Sequence, residues 1–457
     1  MNSQAITTHK MTIWIILLVG LTMRMSIPAL AVYLSPDDRS VFFNKDDTLS
    51  YIRPAMGLTS LGKFVSDGRP EFNRTPGYPL LLVPGILLGN VELVTVGIQV
   101  VLSSLTILLV YGISMVLFYD QRIAAFSAGF YALEPLSLIQ TSILQTETFF
   151  AFTFTAFLFF LLRYLKKSSL NDLLAAGLIA SVAAYIRPVA YFMPMVVGFL
   201  LLVRMLIKFN FRVKPLVHVI LFLLVAMTPL LIWQVRNKIE TGHFLFSSQT
   251  GTCIYFCAGG EILHRESGSS VADRMQKMGY NENEVYFELH PEQRQWSETE
   301  RDYYRQKEGL RIVLTHPFQF LRMLVVKAVW TSLGPGLSDW FCVFNIKFQR
   351  MDKVLADKRD SLRLLKGPRF GLLATFLLAG ILAGYWILAV LCLFGRKPGT
   401  HEGVLFLVIL AAYYVFLPAA VGLGYSRYRH PIMPILCVFA GNGLAMVWDK
   451  CASRRQK

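Results

Sequence analysis

Apolar residues along this chain come in long runs, not in the alternating or every-third-residue patterns of a soluble core. Runs of about 20 residues are what the hydrocarbon of a bilayer asks of a helix. Ten segments approach that length: 12–33, 91–118, 123–139, 146–162, 173–185, 189–203, 216–233, 370–393, 404–421 and 432–448. A shorter apolar helix is expected over 79–88, ended by Gly89-Asn90. The stretch 317–333 is apolar but interrupted by Arg322 and Lys327. We read it as a helix along the membrane interface with its basic groups snorkelling. The pattern predicts an all-α polytopic membrane protein of ten spans, or eleven if 317–333 crosses, with both termini inside. The first run, 11–34, is too long for a signal-peptide core and lacks a small-x-small cleavage site, so it reads as a retained span.

Between spans, polar sequence is short except over 236–316, which mixes both charge signs. Tyr255, Phe256, Tyr286, Phe287, Trp296 and Tyr303 give that region a potential minor core, so it reads as an extracytoplasmic subdomain. The expected organisation is a transmembrane module over 1–234 with a first external loop at about 34–78. The loop subdomain follows over 235–317, then an interfacial helix and basic connector over 318–369, then the last spans and a tail over 370–457.

Charge refines this picture. The 457 residues are 54% hydrophobic and only 16% charged, yet the net charge is +16. The excess sits at segment ends: Arg163, Lys166 and Lys167; Lys208, Arg212 and Lys214; Arg396 and Lys397; Arg454, Arg455 and Lys457. That is the signature of inner loops facing anionic lipid, and it argues against nucleic acid as a partner. The connector 347–369 is also basic, which favours the inner side and the eleven-span count. The six cysteines form no CxxC pair. Cys253 and Cys257 lie in the external region, where a disulfide is allowed; small buried thiols are the preferred reading. There is no zinc-type His/Cys cluster, Walker loop, GxSxG, HExxH or dinucleotide fingerprint.

Candidate chemistry gathers at the outer ends of the spans. The first external loop opens with Asp46-Asp47, with Tyr51 four residues on from Asp47 and thus on one helical face. It closes with Arg74-Thr75-Pro76-Gly77-Tyr78-Pro79. Glu147 stands at the outer end of a span, with Glu134 a weaker site of the same kind. An acid at such depth faces a partner or a wet cavity. Arg187, Arg236, Arg427 and Arg429 end at the same leaflet as Arg74, where the charge rule predicts few basic residues. Singly each is a helix-end or headgroup contact; together they suggest an anion site, because guanidinium grips phosphate with paired hydrogen bonds. Lys63 and Arg69 are further candidate ligands.

In order along the chain, these motifs resemble the GT-C superfamily of integral-membrane glycosyltransferases. The branch they are most similar to holds the protein O-mannosyltransferases and the lipid A aminoarabinose transferases. The resemblance rests on Asp46-Asp47 with Tyr51, on Arg74 to Pro79, and on Thr146-Glu147-Thr148. Arg187-Pro188, Arg236-Asn237 before Gly242, and Arg427-Tyr428-Arg429-His430-Pro431 extend it. It implies a GT-C-type bundle and a sugar donor on a polyprenyl phosphate, undecaprenyl or dolichyl. Transfer would invert configuration at the extracytoplasmic face. The acceptor would be a hydroxyl of a glycolipid, polysaccharide or protein. By this resemblance Asp47 is the general base, Asp46 the runner-up, and Glu147 a second acidic position. Arg74, Arg187 and Arg427 would hold the carrier phosphate, with Tyr51, Tyr78, Arg236 and Arg429 as further contacts to phosphate or sugar. No cofactor is certain: some members use a divalent cation and others do not. The implied setting is the inner membrane of a bacterium, with the site facing the periplasm. Two other readings stay open on the sequence: a ligase or polymerase of lipid-linked glycans relying on His264 or His316, and a transporter or flippase of lipid-linked sugar.

Overall fold

The computed structural model describes residues 3–43, 45–209, 213–264, 269–345, 369–394 and 400–455. Helices form it almost throughout. Those that carry the first half are α1 (Ser3–Leu34), α2 (Lys45–Leu61), α3 (Gly77–Leu87), α4 (Val91–Phe118), α5 (Gln121–Ala132), α6 (Pro135–Gln140), α7 (Thr146–Lys167), α8 (Leu170–Ile186), α9 (Met193–Phe209) and α10 (Val213–Thr241). After the external region come three long helices, Arg369–Phe394, His401–Ala420 and Met433–Arg455. The protein is an integral membrane protein: among the described residues eight helices are long and apolar enough to cross a bilayer.

Local chemistry sets the boundaries. Asn90 caps α4 by accepting from the Leu93 amide at 3.1 Å. At the far end Tyr119 turns left-handed (φ 54°), and Asp120 next caps α5 through the Arg122 amide at 2.9 Å. The same device recurs between α7 and α8, where Ser168 (φ 52°) is left-handed and Ser169 caps. A residue that reverses the chain followed at once by a cap gives a two-residue connection, so consecutive helices lie antiparallel. Accordingly α7 packs against both α4 and α8, and α8 against α10.

Eight of the ten expected spans match long helices, and two do not. The expected span over 123–139 is divided into α5 and α6, of 12 and 6 residues. Proline at 135 has no amide to donate and disfavours helix in the residue before it, so the helix stops ahead of Glu134. Partners for the freed polar groups come from two buried side chains. Arg24, wholly buried in the middle of α1, donates to the end carbonyls of α5, Tyr131 at 3.0 Å and Ala132 at 2.9 Å. It also reaches Ser103 Oγ at 2.7 Å. Glu134 accepts from the Leu136 and Ser137 amides at the start of α6. Without water in the bilayer core such groups must find partners in the protein. The other shortfall is α8, an apolar helix of 17 residues.

The stretch 317–333 does form a helix, Pro317–Leu333, bent by 101° from the preceding Glu298–Thr315 helix. Only as one bent pair do the two meet the length for a span, giving nine instead of ten or eleven. Phe318, Leu321, Val325 and Val329 form an exposed apolar stripe on it. The basic connector lies outside the described residues up to 368. The external region holds a second core of Tyr255, Phe256, Ile262, Met278, Tyr286, Ile312 and Met323, with Phe287 packed against it. Trp296 meets Tyr304 edge-on at 5.9 Å. Tyr303 departs from expectation and is 64% exposed. Cys253 and Cys257 are free thiols, the second buried.

Replacing Arg24 by Met keeps its bulk but strips α5 of its end partners. The expected loss is on the order of 2–4 kcal/mol, read as a lower melting temperature of the detergent-purified protein.

Candidate active site

The first external loop folds back on itself. Its α2 starts just before Asp47, which places Asp47, Ser50 and Tyr51 on adjoining turns of one face. Glu71 accepts from the Asn73 and Arg74 amides at 2.7 and 2.9 Å and so fixes the turn that aims Arg74. That guanidinium donates to Asp47 Oδ1 at 2.8 Å, to Tyr51 Oη at 2.9 Å and to Ser50 Oγ at 2.9 Å. It also lies 4.4 Å over the Tyr51 ring. Tyr51 meets Tyr78 edge-on at 5.1 Å. Tyr78 is fully buried and donates to Gln99 Oε1 at 2.9 Å, so it props Tyr51 from behind.

Two distant segments complete the group. Arg427, on the tight turn Ser426–Ile432, donates through both Nη atoms to Asp47 Oδ2 at 3.2 and 3.1 Å. Its Nε stands 3.9 Å from Glu147 Oε1. Glu147, in the first turn of α7, is paired at 3.1 Å with Arg187, where Pro188 ends α8. Tyr428 lies beneath the guanidiniums of both Arg187 and Arg427, at 5.1 and 5.4 Å from the ring centre. The result is a chain of alternating charge: Arg74, Asp47, Arg427, Glu147, Arg187. Asp47 is its accessible member, with 36% of its side chain exposed against 4% for Glu147. Burial pushes the Asp47 pKa up, but Arg427 and Arg74 outweigh it and hold the carboxyl below the usual range. Asp47 is therefore ionised at neutral pH.

The structure thus brings together Asp47, Tyr51, Arg74, Tyr78, Glu147, Arg187 and Arg427. It sets two other arginines apart. Arg236 spends its guanidinium on the Glu71 and Phe64 carbonyls at 2.8 and 3.0 Å and lies 5.0 Å over Trp233. Arg429 is buried and gives one Nη to the carbonyls of Thr331, Ser332 and Gly334 at 3.0, 3.2 and 2.8 Å. Both donate to backbone carbonyls and brace the segments around the site, although the buried Nε of Arg429 has no partner. Lys63 and Arg69 are exposed beside a two-stranded hairpin, Val65–Ser66 and Arg69–Pro70. Glu134 is the cap described above. His316 turns back on its own helix, to the Ile312 carbonyl at 3.0 Å. The side chain of Asp46 lies outside the described residues.

Sequence reasoning missed Asp339, on the short helix Leu337–Val343. Half-buried, it accepts from Gln140 Nε2 at 2.7 Å and faces both Arg427 and Glu147. The available signal was an acid alone in an apolar stretch after Gly334-Pro335-Gly336. Among the described residues no three His, Cys, Asp or Glu side chains are placed to share a metal ion. Asp47 and Glu147 are each paired with an arginine.

Comparison with known proteins gives a family match over part of the chain and a shared fold. Residues 73–233 match the family model described as dolichyl-phosphate-mannose-protein mannosyltransferase. Among solved structures, the archaeal oligosaccharyltransferase AglB of Archaeoglobus fulgidus, in complex with an inhibitory peptide and a dolichol-phosphate, is similar over 100% of this chain. It is 15% identical, with a TM-score of 0.55. The apo form of the Archaeoglobus fulgidus oligosaccharyltransferase gives 14% identity and a TM-score of 0.50 over 98% of the chain. The chain spans about half of those proteins' length, 52% and 51%. ArnT from Cupriavidus metallidurans in the apo state is 14% identical over 96% of this chain and 77% of its own, with a TM-score of 0.39. Comparison with curated proteins finds no match. The chain thus matches a mannosyltransferase family model over residues 73–233 and shares its fold with the oligosaccharyltransferase structures.

The division among arginines is testable. Arg236→Met and Arg429→Met are expected to lower stability by roughly 2–4 kcal/mol each in thermal melts, because each exposes buried carbonyls to no partner.

Proposed function

We propose that this protein transfers a sugar from a polyprenyl-phosphate carrier to an acceptor hydroxyl at the extracytoplasmic membrane face. The observation that carries this reading is the accessible Asp47 held between Arg74 and Arg427. The carrier phosphate enters as an anion and competes for the guanidiniums that now hold Asp47. Arg74, Arg187 and Arg427 are its ligands in this reading. The neighbour bound to a dolichol-phosphate supports a carrier of this kind.

The reaction balances without a cofactor. Asp47 takes the acceptor proton as the acceptor oxygen forms its bond to the anomeric carbon. The bond from that carbon to the phosphate oxygen breaks, and its electron pair leaves with the carrier phosphate. The oxocarbenium-like state bears positive charge on the sugar while negative charge grows on the phosphate. Arginines already fixed by Tyr51, Tyr428 and the acids stabilise that growing charge with little reorganisation. Attack opposite the leaving phosphate inverts configuration.

The membrane side rests on α7. Its first turn carries Glu147 and its last Lys166 and Lys167. Its 22 residues span about 33 Å, so site and basic end lie at opposite faces of the bilayer. The positive-inside rule then puts the site outside, facing the periplasm if the host is a bacterium.

Transfer of label from radiolabelled polyprenyl-phosphate sugars to a crude acceptor extract is expected with wild type. Asp47→Asn is expected to lower it by about 10²–10⁴-fold in protein that still folds. Full transfer by a well-folded Asp47→Asn variant would sink the assignment of the base. Sidedness has a separate test. Cys342, beside the site, and Cys451, near the end of the last helix, are both exposed. An impermeant maleimide applied to intact spheroplasts is expected to label Cys342 and spare Cys451.

A further inference from the structure

Three guanidiniums, those of Arg74, Arg187 and Arg427, meet three carboxylates at this site. Two carboxylates belong to the alternating chain; the third is Asp339. The turn Gly334-Pro335-Gly336 brings it there. Gly336 is left-handed (φ +75°), and a Cβ on it would lie 3.3 Å from Ser426 Oγ, so this turn presses on the residue before Arg427. Gln140, carried by the short α6, then holds the Asp339 carboxylate at 2.7 Å. Arg427 consequently faces Asp47, Glu147 and Asp339 together.

With all six groups ionised the cluster is neutral. A phosphodiester lipid adds one negative charge to a half-buried place where unbalanced charge is expensive. The release phase is worse, since a phosphate monoester carries about −1.5 to −2 at neutral pH. The cheapest relief is a proton on one of the acids. Asp47 is the accessible acid clamped by two arginines, and Glu147 has Arg187 at 3.1 Å. Asp339 has a neutral amide as its close partner and no arginine within ion-pair distance among the described residues.

We propose that Asp339 is the acid of this site that takes up one proton from solvent when a polyprenyl phosphodiester binds among Arg74, Arg187 and Arg427, Asp47 remaining the base of the transfer step. The proposal rests on the carrier reading above and gives it a pH dependence. In the empty site burial pushes the Asp339 carboxyl up to about 6, against the pull of Arg427 and with that of Glu147. It is therefore mostly ionised at neutral pH and near its switching point. The neighbouring elements supply the remaining groups. The Arg39–Phe42 turn brings Arg39, α6 brings Gln140, and the Arg369–Phe394 helix brings no charged group among its described side chains. An anion arriving at Arg427 offsets the cation that most favours the charged form, so the pKa rises and a proton is bound.

The test uses the full chain in nanodiscs and a polyprenyl methyl phosphodiester, whose single charge does not titrate in the range scanned. Wild type is expected to bind it most tightly near about pH 5, with affinity falling by up to about tenfold per pH unit above about pH 6. Calorimetry at about pH 7 in buffers of different ionisation enthalpy is expected to report uptake approaching one proton per lipid. Asp339→Asn, which fixes the uncharged form, is expected to bind at the wild-type low-pH affinity across the range, a gain at about pH 8. A purely structural Asp339 would instead weaken binding at every pH when replaced. That result, or an unchanged slope in Asp339→Asn, or no proton uptake by wild type, overturns the proposal while leaving the carrier reading intact. Wild type that binds the lipid at no pH overturns both.

Discussion

The contact between Arg427 and Asp47 is the one on which the site depends. It joins residues 380 positions apart. Among the described residues no other ion pair ties the first external loop to the turn before the last span. Arg427 also stands near Glu147, so one guanidinium holds the loop, the start of α7 and, through Glu147, the end of α8. Guanidinium suits this task because its donors lie in a fixed plane and it stays charged when half-buried. Its strength here is also its mechanism: an ion pair in a wet cleft can be exchanged for another anion, whereas a carbonyl bond in a dry core cannot.

That contrast sorts six of the described arginines. Arg24 and Arg429 give donors to backbone carbonyls at a helix break or end, and Arg236 gives its donors to carbonyls flanking the loop hairpin. Membrane burial makes such caps worth more than in water, since a bare carbonyl there has nothing else to meet. Arg74, Arg187 and Arg427 instead meet acids and aromatic faces. Charge and position along the chain are alike in the two sets; only the partner differs.

The broken helix at Glu134-Pro135 links fold to site. It ends α5, directs α6 sideways and places Gln140 where it meets Asp339. The same short helix offers the Gln140 carbonyl to Thr148 at 2.9 Å, steadying the turn that carries Glu147. A continuous span here would carry Gln140 away from both acids. The break thus serves the external face, and Arg24 and Glu134 together offset what it costs inside the membrane.

The sequence by itself determined the all-α membrane architecture, because spanning length and helical hydrogen bonding are properties of each local run. It also marked the end of the bundle where charge collects, since inner loops and outer loops differ in basic residues. It did not determine which runs cross. The stretch 123–139 is apolar enough, but a proline and an acid inside it are decisive only once Arg24 is available to satisfy the break. Nor did it show that Arg429, two residues from Arg427 on one turn, turns to the Thr331, Ser332 and Gly334 carbonyls. Asp339 was invisible for the same reason: its partners, Gln140 and Arg427, are distant in the chain. Those distinctions were made by tertiary structure, because a buried charge takes its role from the group it faces, and that group is chosen by packing.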